Sequence, residues 1–137
     1  MTEVERKIRG VATEYGIQIF YVFGSREDEA RKFVRGDVRR LAPTSSDLDV
    51  AIKTARPLSI EEKVEIAARL EDLFGVNRVD LLILPEVRTF VAVEAVSGEL
   101  LYTSDATLEA EYQLYIMRKA AELLPYERER QKAILGS

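Results

Sequence analysis

Apolar residues recur along this chain in two rhythms. Val4, Ile8, Val11 and Tyr15 fall at helical spacing, with Thr2 and Glu5 placed to form a capping box and Gly16 placed to stop the helix. Ile17-Gln18-Ile19-Phe20-Tyr21-Val22-Phe23 is rich in aromatic and β-branched residues and predicts a strand. Gly24-Ser25 breaks it, and an amphipathic stretch with Ala30, Phe33 and Val34 on one face runs to Gly36. Leu48 to Ile52 reads as a second strand. Ser59 and Glu62 cap a helix ending near Phe74 and closed by Gly75. Val79 to Leu84 is a third strand, and Pro85 opens another helical segment. After Gly98 a short extended piece, Leu100 to Tyr102, leads into a helix from about Asp105 to Leu124. Pro125 is expected to interrupt that helix before a charged helical tail, Tyr126 to Leu135.

This alternation predicts one α/β (α+β) domain over residues 1–137, with a core over about 1–103 and helices over 104–137. A chain of 137 residues has the size of one ordinary domain with one core. Composition narrows the chemistry further. With no cysteine, disulfides and thiolate metal sites are excluded, and with no histidine the commonest general base is missing. Any metal must sit on oxygen, which points to magnesium or manganese. The formal net charge of −4 supplies no general field for nucleic acid, so direct nucleic-acid binding is not expected. Neither a membrane-length apolar run nor a signal-peptide pattern is present, so a cytoplasmic protein with no membrane association is expected.

Three features carry chemistry. The first is the junction of strand, Gly24-Ser25 and helix, where free backbone N–H groups and a helix N-terminus make a phosphate cradle. Such a junction is more often a tight turn with Ser25 as its cap. The second is Ser46-Asp47-Leu48-Asp49-Val50. On a strand, residues two apart share a face, so Asp47 and Asp49 project side by side while Leu48 and Val50 enter the core. Carboxylates roughly 4–6 Å apart repel by a few kcal/mol at an effective dielectric of about 20, which a bound cation or good solvation relieves. The third is Asp80 near the start of the apolar run Val79 to Leu84, costly to bury unless it is metal-bound or paired with a neighbour such as Arg78 or Arg88. Each has an ordinary structural explanation. Together they place a turn and three acids where the ends of three strands can converge, an arrangement suited to phosphoryl chemistry with two magnesium ions.

Phe23-Gly24-Ser25-Arg26, then Ser46-Asp47-Leu48-Asp49-Val50-Ala51, then Val79-Asp80-Leu81 resemble the motifs of the DNA polymerase β-like nucleotidyltransferase superfamily. The chain's length resembles the minimal nucleotidyltransferase (MntA/MNT-type antitoxin) branch. Arg35-Gly36-Asp37 is similar to that family's Arg-Gly-Asp segment, and Gly98-Glu99-Leu100-Leu101-Tyr102 to its late Gly-x-Leu-Leu-Tyr segment. The resemblance implies a nucleotidyltransferase fold, a small mixed sheet flanked by helices with a helical C-terminal third. It implies that Gly24, Ser25 and Arg26 bind the nucleotide, and that Asp47, Asp49 and Asp80 are catalytic and hold Mg²⁺ (or Mn²⁺), with Asp80 taking the proton of the acceptor hydroxyl. The implied reaction moves AMP from ATP to a hydroxyl, notably a tyrosine, of a HEPN-type toxin encoded nearby. The alternative is an inactive nucleotide-binding antitoxin that neutralises its partner by occlusion. An aminoglycoside-type transferase is disfavoured, because the chain lacks room for the larger substrate domain of such enzymes.

One departure stands out. Twenty-one residues separate Ser25 from Asp47, about twice the usual family spacing. The added length can move the turn away from the acids or gate the site, although long loops are tolerated thermodynamically. It carries Arg26, Arg31, Lys32, Arg35, Arg39 and Arg40, which can meet phosphate or partner acids, or simply pair with Glu27, Asp28 and Glu29. At the C-terminus, Leu108, Tyr112, Tyr115, Ile116, Lys119 and Leu123 form a stripe expected to pack on the domain's own core, with partner binding as the other use; assembly as a homo-oligomer is left open.

Overall fold

The structure, a computed structural model, describes residues 1–44 and 46–136. Helix α1 (Glu3–Tyr15) carries the Thr2/Glu5 capping box and ends on left-handed Gly16, and strand β1 (Ile17–Phe23) follows directly. A single 3-10 turn over Gly24–Arg26 feeds α2 (Glu27–Arg35), closed by left-handed Gly36. After the insertion come β2 (Leu48–Thr54) and α3 (Ile60–Phe74), the latter with the Ser59/Glu62 capping box and Gly75 stop. Strand β3 (Val79–Ile83) is shorter by one residue than the apolar pattern suggests, because Leu84 turns into a 3-10 segment with Pro85. Then follow α4 (Thr89–Val96), β4 (Glu99–Thr103) and α5 (Ala106–Leu135).

The four strands form one mixed sheet in the order β3-β2-β1-β4. β1 is antiparallel to both neighbours, whereas β2 and β3 are parallel and joined across a face by α3. Helices α1, α2 and α3 cover one face, packing Ile8, Val34, Ile66, Leu70 and Phe74 against Phe20, Val22, Leu48, Val50 and Ile52. The other face carries α4 and the first turns of α5, with Ala92, Ala95, Val96 and Ile116 on Ile19, Tyr21, Phe23 and Ala51. Both faces of β1 are therefore covered, which explains why Gln18 is its one polar residue.

The C-terminal third differs from expectation. α5 runs without a break through Pro125, so the C-terminal third is one helix instead of a helix and a tail. Proline removes one intrahelical bond, but helix formers on both sides and free solvent around the exposed segment keep the turns in register. The insertion is a lengthened α2 followed by a loop, and that loop is anchored by Leu41, which is only 6% exposed and belongs to the main core. Of the C-terminal stripe, Leu108, Tyr112 and Ile116 pack as expected, whereas Tyr115 and Leu123 are exposed.

Candidate active site

The site lies at the edge of the sheet where β1 ends and β2 and β3 begin. Antiparallel pairing sets Phe23 beside Asp49, and parallel pairing sets Asp49 beside Asp80, so three adjacent strands deliver their site residues to one level. Directly paired residues share a face. Asp49 and Asp80 thus stand next to each other on the α4/α5 side, while Leu48 and Val50 point to the main core as expected.

Gly24 completes this arrangement. Its φ is 79°, a left-handed conformation, and a Cβ there would overlap the Asp49 carboxylate. Only glycine lets the turn lie against that acid. Gly98 does the same from beneath: a Cβ on it would lie 2.8 Å from Phe23 Cβ and overlap the Val22 carbonyl. The late glycine of the sequence pattern is therefore what lets the α4–β4 turn pack under the end of β1. Ser25 is exposed at the tip of the turn.

Asp47 is placed one residue ahead of β2, not within it, and its carboxylate lies 3.7 Å from Arg78 Nε. Asp80 is exposed, so the burial cost anticipated for an acid inside an apolar strand does not arise. Among the described residues neither Arg78 nor Arg88 forms an ion pair with it. Asp49 is the strained member. Burial, then the charges of Asp80, Asp47 and Glu94, push its carboxyl above the usual carboxylate range. Glu94 is an acid that sequence reasoning missed. Its signal was the lone acid in Phe90-Val91-Ala92-Val93-Glu94-Ala95-Val96, an otherwise apolar helix.

Arg26, expected at the nucleotide, is turned inward. It is 4% exposed and its guanidinium donates to Glu29 Oε1 at 2.7 Å, the Ala42 carbonyl at 2.7 Å and the Ser46 carbonyl at 3.1 Å. Arg31 and Lys32 both pair with Asp28, so the helix-face explanation accounts for these basic residues, whereas Arg35, Arg39 and Arg40 are exposed.

The donor set suits a hard divalent cation: all candidate ligands are carboxylate oxygens, and burial together with the charges of Asp80, Asp47 and Glu94 raises the proton affinity of Asp49, a repulsion that a cation between them relieves. As the side chains stand, no group of three or more acids among the described residues is arranged to hold a metal ion. Asp49 and Asp80 form the adjacent pair, and Asp47 faces Arg78.

The profile of the family described as Polymerase beta, Nucleotidyltransferase matches residues 6–107. The chain belongs to this family. The match spans all four strands and ends at the start of α5. No curated protein sequence matches significantly. Among solved structures, the chain is similar to a toxin–antitoxin MntA–HpeT complex with two Asp-to-Glu substitutions, at 18% identity, a TM-score of 0.73, and coverage of 96% of this chain and 98% of that one. A toxin–antitoxin structure with AMP-PNP matches at 19% identity and a TM-score of 0.71, over 96% and 98% of the two chains. A tri-AMPylated Shewanella oneidensis HEPN toxin in complex with MNT antitoxin matches at 22% identity and a TM-score of 0.63, over 96% and 92%. The fold is thus the one these toxin–antitoxin structures share, and the chain is a nucleotidyltransferase by family. Among the described residues no helix is long and apolar enough to cross a membrane.

Proposed function

We propose that this nucleotidyltransferase moves AMP from ATP to a hydroxyl, a tyrosine for preference, of a HEPN-type toxin encoded nearby, and so acts as the antitoxin of the pair. The observation that carries this reading is the pairing of Asp49 with Asp80 beside a glycine whose missing Cβ leaves room for that acid pair. Asp49, Asp80 and Asp47 would hold Mg²⁺ (or Mn²⁺). When bound, the metal would orient the triphosphate and offset the charge that develops on its oxygens.

The chain's own groups divide the remaining work. Gly24 and the exposed Ser25 offer backbone and hydroxyl at the turn facing the phosphates. Asp80, exposed and without histidine competitors anywhere in the chain, is the group to take the proton from the acceptor hydroxyl. Asp49, half-buried, stays at the centre of the acid group. The exposure of Ser25 and Asp80 suits a macromolecular acceptor. The placement of Asp47 against Arg78 gives the second reading its support: an antitoxin that binds nucleotide and occludes its partner without transfer.

The deciding experiment incubates the purified chain with ATP labelled at the α-phosphate, Mg²⁺ and the candidate toxin, beside an Asp47→Ala/Asp49→Ala control. Label on the toxin that depends on both acids supports transfer. Absent label with metal-dependent ATP binding favours occlusion, and absence of both overturns the site.

A further inference from the structure

The geometry points to Arg26 as a positioning residue that locks the Gly-Ser turn to the segment leading into Asp47, in place of the nucleotide contact that its sequence position suggests. This inference rests on the acid site proposed above. Arg26 is the last residue of the turn that begins at Gly24, so its backbone is fixed to the nucleotide side of the site. Its side chain reaches across the insertion and donates to the carbonyl of Ser46, the residue immediately before Asp47, and to that of Ala42. Glu29, one turn along α2, takes Nε at 2.7 Å and offsets the buried charge. One guanidinium therefore closes the twenty-one residues between Ser25 and Asp47 into a unit with fixed ends.

The guanidinium is suited to this work because it presents several donors in a planar fork. A lysine ammonium is a point charge and cannot span two carbonyls four residues apart while also meeting Glu29. Burial matters as well: with 4% exposure and each of its three nitrogens already on a protein acceptor, Arg26 lacks the access to receive a phosphate. Leu41 anchors the middle of the insertion in the core, but it lies well before the acid, and Asp47 itself has only its pairing with Arg78 among the described ion pairs. The inference explains how a family member with this much extra chain keeps its turn and its acids together.

The test uses the full chain with Mn²⁺ and AMP-PNP as probes, comparing wild type with Arg26→Gln and Arg26→Lys by calorimetry, and the amides of Ser46 and Asp47 by hydrogen exchange. A positioning role predicts a folded Arg26→Gln variant with Mn²⁺ affinity in the presence of AMP-PNP lowered about 10–100-fold, as removal of groups that orient ligands does. It also predicts metal-free AMP-PNP binding within about twofold of wild type, faster exchange at Ser46 and Asp47, and partial recovery in Arg26→Lys. Equal losses with and without metal, together with unchanged exchange, would make Arg26 a phosphate ligand and overturn the inference; unchanged affinity would overturn it too. Should Arg26→Gln not fold, Glu29→Gln removes the counter-charge while keeping the guanidinium: lowered Mn²⁺ affinity supports the clamp and wild-type affinity refutes it. A wild-type chain that binds neither probe fails the acid-site reading, and the exchange at Ser46 and Asp47 then decides the clamp separately.

Discussion

Strand β2 puts two kinds of chemistry on alternate residues. Leu48, Val50 and Ile52 are fully buried against α1, α2 and α3, in one apolar cluster with Ile8, Val34, Ile66, Leu70 and Phe74. Asp49, Ala51 and Lys53 face the other way, and along that line the environment changes from an acid group at one end to a lysine over the Tyr112 ring at the other. The first face is built for stability, since close-packed apolar burial is the main favourable contribution to folding. The second holds like charges together at its end, an arrangement that costs stability and that a fold retains where a ligand offsets it. Function and stability are therefore separable on one strand. Substitutions on the two faces should move activity and unfolding free energy in different proportions.

The sharpest break is at Asp49. Asp49→Asn should lower AMP transfer by roughly 10³-fold or more, about 4 kcal/mol of transition-state stabilisation, with the fold intact by circular dichroism. On the other face Leu70→Ala should cost roughly 3 kcal/mol of unfolding free energy in urea, while nucleotide binding by the folded fraction at low temperature stays within about twofold. If Leu70→Ala damaged transfer as severely as stability, the two faces would not be independent.

Gly24→Ala tests the junction of the two. Its left-handed backbone alone makes alanine cost about 1–2 kcal/mol, the same expectation as for Gly16→Ala at φ 68°. At Gly16 the nearest atom is Ala55 Cβ at 3.9 Å, so that variant should keep full activity, whereas Gly24→Ala meets the Asp49 carboxylate and should lose nucleotide binding.

A smaller effect carries the opposite sign. Because the folded state raises the Asp49 carboxyl above its ordinary value, the folded chain binds that proton more tightly than the unfolded one. The associated stability is present at acid pH and lost as pH rises through the raised value. Asp49→Asn should accordingly raise the melting temperature of the metal-free protein near neutral pH by about 2–4 °C, on the order of 1 kcal/mol, and this gain should shrink as the pH falls. A gain that does not depend on pH would remove the electrostatic explanation. The smallest effect expected is from truncation after Leu124: residues 125–136 are almost all exposed, and removing them should change unfolding free energy by no more than about 0.5 kcal/mol.

How much of this was legible in the sequence follows from which forces are local. Capping boxes at Thr2/Glu5 and Ser59/Glu62, glycine stops at 16, 36 and 75, and the apolar runs of β1 and β2 all act within a few residues, and all of them appear where the pattern put them. Pro125 misled because its local penalty was weighed without the strong helix formers on either side. The acids were visible as residue types at a given spacing. Their mutual placement was not, since the register that sets Asp49 beside both Phe23 and Asp80 is fixed by pairing between segments far apart in the chain.

The sequence by itself determined the element order, the absence of histidine and thiolate chemistry, and which acids and which glycine turn were available for a phosphate site. Only the tertiary structure decided that Asp80 is exposed, that Glu94 from α4 adds its charge to Asp49, that Gly98 seats the end of β1, and that Arg26 faces the insertion and not the solvent. The physical reason is the same in each case. A residue's type sets what it can bond to, whereas its partners and its exposure depend on which distant segments the packed core brings against it.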